Sequence, residues 1–182
     1  QIYLLGTKED DNLIYSDIAL VVENGATGEK KFYTIPTSKG MGGGIDLVDF
    51  THDGLLDVGV YIFSGGTGSQ VDYYIFFNQG KAVQLGFSNK LLEEKFKFQV
   101  TYLPKYQVEI KNLNTNETTI LDLSRRSPDY LEAIYDTQGN LKNPLLGVVA
   151  PVSDSNPINS KHYSQGHDLI LTQRILGRSH ND

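Results

Sequence analysis

The sequence predicts a mainly β protein with one or two short helices, and three observations lead there. Polar and apolar residues alternate with a period of two, most cleanly in Tyr106-Gln107-Val108-Glu109-Ile110, which places Tyr106, Val108 and Ile110 on one face. Short runs rich in Val, Ile, Tyr and Phe are separated by turns rich in Gly, Asn and Asp. Helix-start signals occur at two places, Ser88 and Ser127.

In chain order, Ile2–Leu5, Asp17–Val22 and Lys31–Ile35 read as short strands, with Glu23–Gly28 as the turn between the second and third. Thr37–Gly44 is rich in glycine and reads as a loop. Asp57–Phe63 and Asp72–Phe77 form a hairpin across Ser64–Ser69, and Lys81–Leu85 continues it after Asn78-Gln79-Gly80. Ser88–Lys95 reads as a helix with a serine cap and an apolar side at Leu91 and Leu92. Phe96–Tyr102, Tyr106–Lys111 and Thr118–Leu123 make a third group of strands, with Asn112–Asn116 as a turn. Ser127-Pro128-Asp129 opens a second helix: a capping serine, proline at the first helical position, then an acid near the positive helix end. That helix ends before the Asp136–Asn140 turn; Val152–Gly166 is polar and reads as irregular, and Leu169–Leu176 is the last strand.

Composition narrows the function classes. At 182 residues the chain has room for one well-buried core, and a second complete domain would be cramped, so a single β-rich domain over residues 1–182 is expected. A net charge of −6 disfavours a nucleic-acid partner, because phosphate binding needs a basic field. The absence of cysteine removes disulfides, thiolate metal sites and a cysteine nucleophile. No apolar run approaches the ~18 residues of a membrane span, so no transmembrane segment is expected. The chain starts at Gln1 rather than Met, which fits a leader already removed.

The most specific stretch is Asp49-Phe50-Thr51-His52-Asp53-Gly54-Leu55-Leu56-Asp57. Side-chain oxygens stand at loop positions one, three, five and nine (Asp49, Thr51, Asp53 and Asp57), and the Leu55 carbonyl can turn inward at position seven. Ca²⁺ takes six to eight oxygens at about 2.3–2.6 Å, which alternating side chains and a backbone carbonyl largely supply. Gly54 falls where such a loop must turn sharply. These five residues are the expected metal ligands and Ca²⁺ the expected cofactor, with no catalytic residues. An Asp- and Gly-rich turn needing no metal is the plainer reading of the same residues, and His52 reads as a solvated loop side chain.

Asp-x-Thr-x-Asp-Gly-x-x-Asp before a strand resembles the VCBS/FG-GAP repeat of integrin-α-like propellers. Together with Gly25–Gly28, Ser64–Gly68, Pro128–Leu131 and Gln173–Arg178, it resembles the secreted VCBS-repeat proteins of Bacillus-type bacteria over nearly the whole chain. The resemblance implies antiparallel FG-GAP units in a partial propeller-like stack or a compact β-sheet domain. It also implies an extracellular or cell-envelope location in a Gram-positive bacterium, and a chain shortened at both ends. Ser160–Asp168 takes the place of a second loop, but Ser160, His162 and Ser164 stand where acids would, and Gly166 comes one place late. That loop is expected to be held by hydrogen bonds among Ser160, Ser164 and the backbone, with Asp168 as acceptor.

Other chemistry is weaker. Gly40–Gly44 lacks the Lys-Ser/Thr of a phosphate loop, and no Gly-x-Ser-x-Gly elbow is present. His162 and His167 could approach Asp168 as a transition-metal or acid/base site, but their separation in an irregular loop gives no common face and they read as solvated loop residues. The expectation is therefore a calcium-stabilised extracellular binding or structural module without catalysis, its ligand a glycan or a protein. The alternative is a hydrolase or lyase acting on polysaccharide with a nearby metal site.

Overall fold

A computed structural model describes residues 1–8, 13–65, 70–80 and 83–177. His180 and residues 66–68 of the glycine-rich hairpin turn lie outside them. The protein is mainly β with two short helices, as expected, and its antiparallel sheets close no barrel among the described residues. The chain divides into two compact units, Gln1–Leu91 with Val152–Thr172, and Leu92–Pro151 with Gln173–Asp182.

In the first unit, β1 (Ile2–Lys8), β2 (Tyr15–Glu23) and β3 (Lys30–Thr34) form an antiparallel sheet in chain order. The turn between β2 and β3 is fixed by Asn24, whose Oδ1 accepts the Ala26 amide at 2.9 Å, a local turn bond that asparagine makes readily. β4 (Gly43–Val48), β5 (Asp57–Gly65), β6 (Gln70–Asn78) and β7 (Val83–Ser88) form a four-stranded antiparallel sheet. Leu20, Ile35, Val58, Val60, Ile62 and Phe76 join in its core. Asp57, Val58, Gly59 and Val60 are buried in succession, so β5 is covered on both faces rather than alternating.

α1 (Asn89–Lys95) follows, and the Leu91 amide donates to Ser88 Oγ at 3.4 Å, a long bond for the expected serine cap. In the second unit, β8 (Phe98–Leu103), β9 (Gln107–Asn112) and β10 (Thr118–Asp122) pair antiparallel, with β9 in the middle. Val108 is buried and Tyr106 and Ile110 pack beside it, as the alternation predicts. α2 (Pro128–Ile134) has the expected proline and Asp129 in its first turn, but Ser127 makes no side-chain capping bond. Its backbone carbonyl takes the first helical hydrogen bond, from the Leu131 amide at 3.1 Å.

β11 (Val148–Asn159) and β12 (His167–Leu176) form a two-stranded sheet. Two strands thus run into stretches that the sequence reads as loop or irregular: β4 with its first two residues, Gly43 and Gly44, and β11 over most of its length. No helix among the described residues is long and apolar enough to cross a membrane.

Candidate functional site: two docked loops

The Asp49–Asp57 loop is built by its own carboxylates. Asp49 is buried and receives the Gly54 amide at 2.9 Å on Oδ2 and the Asp53 amide at 3.2 Å on Oδ1. This curls the chain back over its first residue, and Gly54 adopts φ +85°, the left-handed region glycine enters without strain. Asp53 Oδ1 takes the Leu55 amide at 2.8 Å. Asp57 is fully buried at the head of β5, where Oδ2 accepts the Phe50 and Thr51 amides at 2.8 and 3.0 Å. Its Oδ1 accepts the Asn78 amide at 2.8 Å, tying the loop to the end of β6.

Thr51, Asp53 and Leu55 are exposed, while Asp49 and Asp57 are buried. Among the described residues no group of three or more His, Asp or Glu side chains is disposed to hold a metal ion. The structure gives the carboxylates of this loop to main-chain amides.

The second loop is organised in the same manner. Asp168 Oδ2 accepts the Ser160 hydroxyl at 3.0 Å and the Lys161 amide at 3.2 Å, and Ser160 Oγ in turn accepts the His162 and Tyr163 amides. Ser160 is the hub that the sequence implied, whereas Ser164 stands exposed. His162 is exposed as expected, but His167 is not solvated: its Nδ1 is buried without a partner.

His52 joins the two loops, contrary to the expectation of a free loop side chain. Its ring stacks on Tyr163 with centroids 4.0 Å apart and planes at 21°. Nδ1 lies 2.9 Å from the Gln165 carbonyl oxygen, and a carbonyl only accepts, so Nδ1 carries the hydrogen. Nε2 sits 3.6 Å from Asp168 Oδ1. The His167 amide donates to the Asp49 carbonyl at 2.7 Å, a second seam beside the ring. Gly166 makes this approach possible, since a Cβ there would fall 2.3 Å from His52 Nδ1 and 2.9 Å from the Asp49 carbonyl. No sequence signal marks His52, because its partners lie more than a hundred residues away.

Electrostatics match the hydrogen bonding. Burial opposes ionisation of Asp49, but the amides of Gly54, Asp53 and His52 together hold its pKa below the ordinary 3.8. Asp168 is held below 3.8 in the same sense: burial works against it, and the Lys161 amide, the Ser160 hydroxyl and the charges of His162 and His52 outweigh that. Asp46 anchors the sheet nearby by accepting the Tyr73 hydroxyl at 2.9 Å, and burial with that bond drives the Tyr73 pKa far above its usual range.

Fold and site together define a β-rich protein whose first unit is clasped by a pair of acid-headed loops. The YybI C-terminal domain matches residues 96–182. Over 182 residues the chain is 30% identical to the uncharacterized protein YybI of Bacillus subtilis (strain 168), spanning the whole of this chain and 69% of that protein. The chain belongs to the YybI family. No solved structure matches it significantly. The VCBS/FG-GAP resemblance is corrected accordingly: no such family matches, and the calcium-loop-repeat and propeller-like description that it implied does not stand. The Asp49–Asp57 motif is short, and turn formation alone selects Asp and Gly at the same spacing.

Proposed function

We propose that this chain is a non-catalytic structural or binding module, and that its two loops serve as a fastening rather than a reaction centre. One observation supports the reading most: Asp49, Asp57 and Asp168 each accept two or more hydrogen bonds from within their own surroundings. A carboxylate engaged in this way fixes backbone; a general base or nucleophile needs an oxygen directed at a substrate.

Calcium is the cofactor on which this reading is tested. An ion seated by Asp49, Thr51, Asp53, the Leu55 carbonyl and Asp57 would have to share or displace the amides that now hold those carboxylates. Thermal melts in calcium and in chelator should coincide. A rise with calcium that Asp53→Ala abolishes would turn the fastening into a cation site, because a ligand of the folded state stabilises by mass action. In parallel, glycan, ester and peptide substrates should show no turnover above background. Turnover lost on substituting one of these aspartates would replace the module with an enzyme.

A further inference from the structure

The second unit holds a cavity of about 690 Å³ that the loop reading does not use, within the size range of small-molecule sites. We propose that it is a carbohydrate-binding site for a short oligosaccharide.

One ring, that of the half-buried Tyr106, is open to the cavity, and the buried Tyr135 holds it in place. Tyr106 and Tyr135 both line it, edge to face with ring centroids 5.0 Å apart. Tyr135 is buried and its hydroxyl donates to the Gln107 carbonyl at 3.2 Å. Lys105 and Tyr106 both adopt φ +60°, an uncommon backbone for non-glycine residues, and their turn is pinned from either side. The Lys105 amide donates to the Gly139 carbonyl and the Leu123 amide to the Tyr106 carbonyl, each at 2.7 Å. Asp136 fixes the neighbouring turn by accepting the Gln138 and Asn140 amides at 2.9 and 2.8 Å. The cavity is therefore preformed, and a ligand entering it does not have to order these walls.

The rim supplies both kinds of hydrogen-bonding group. Arg126 and Lys142 donate only, Glu132 accepts, and Thr137 does both; all four line the cavity and are exposed. Arg126 already lies 5.8 Å from the centroid of the Tyr130 ring, which restrains its guanidinium. A sugar has an apolar C–H face for the Tyr106 ring and hydroxyls that each donate and accept, so it matches both halves of this lining. A simple anion would use the two cations but meet Glu132 and Asp136. A wholly apolar ligand would cover charged groups without pairing them, which is costly.

The inference concerns the second unit and stands apart from the fastening proposed for the first. The test is saturation-transfer NMR on the full chain with chitobiose, cellobiose and digalacturonate as probes, and with inorganic phosphate followed by phosphorus line width. Saturation of C–H protons on one of the glycans is expected, weakened roughly ten-fold by Arg126→Ala and by Glu132→Ala, each removing a charged hydrogen-bonding group. Both variants are altered at exposed positions and are expected to keep the fold, which circular dichroism checks. No saturation of any of the three glycans, or saturation unchanged in both variants, overturns the proposal. So does phosphate broadening lost in Arg126→Ala while the glycans stay silent, which marks an anion site instead.

Discussion

Among the loop residues, Asp57 and Asp53 carry the same carboxylate at opposite extremes of burial. Asp57 is fully buried and accepts three amides, so Asp57→Ala leaves three donors without a partner. A buried donor left without a partner costs on the order of 1–3 kcal/mol; with Phe50 and Asn78 half-buried and Thr51 exposed, the total loss is about 3 kcal/mol. Asp53 is exposed and holds one local amide, so Asp53→Ala should cost under about 1 kcal/mol. Urea unfolding of the two variants checks the contrast, and equal losses would show that burial of Asp57 is not what makes it matter. The sequence named both aspartates from spacing alone. It could not reveal which would be buried, since that depends on the Asn78 amide at the far end of the hairpin.

At the scale of elements, what the sequence hid follows from small and polar residues in strands. Gly43 and Gly44 read as loop, yet they open β4 because β5 lies too close for anything larger. A Cβ at Gly43 would meet the Tyr61 carbonyl at 2.2 Å, and one at Gly44 the Tyr61 hydroxyl at 2.3 Å. Ser153, Asp154, Ser155 and Asn156 disguise β11 in the same way. Their polarity is satisfied by hydrogen bonds, as where Ser153 Oγ donates to the Thr172 carbonyl at 3.2 Å and Ser155 Oγ to Asn89 Oδ1 at 3.4 Å. Strands rich in branched and aromatic side chains, such as β5, β6 and β9, were legible because local preference and final structure agree. The tight fit at glycine also yields a test. A Cβ at Gly59 would lie 2.2 Å from the hydroxyl of Tyr73, which is itself buried and bonded to Asp46. Gly59→Ala should therefore destabilise by about 1–3 kcal/mol through overpacking, measured by thermal or urea unfolding. A neutral result would mean that Tyr73 has room to move.

For the whole molecule, acid sensitivity follows from carboxylates in both units. Asp49 and Asp168 in the first unit and Asp122 and Asp136 in the second all ionise below the ordinary 3.8. In Asp122 the Ser124 amide is the main cause, and in Asp136 the Asn140 amide. A carboxylate whose pKa is lower folded than unfolded favours the folded state above its unfolded pKa. That contribution disappears as pH falls through the folded value. Stability should thus hold from neutrality to about pH 4 and then decline as the pH falls further, a window set by the unfolded carboxylate pKa. Urea midpoints across that range check it, and Asp49→Asn should flatten the slope by removing one of the titrating groups. Decline beginning well above that pH would assign the sensitivity to other groups.

The His52–Tyr163 stack has a magnetic consequence. At 4.0 Å between ring centres, the imidazole carbon-bound protons lie within the ring current of the tyrosine. In a chain with only four histidines, those resonances are few and displaced upfield as long as the loops stay closed. The molecule thus carries its own spectroscopic label for opening of the clasp, readable without any added probe.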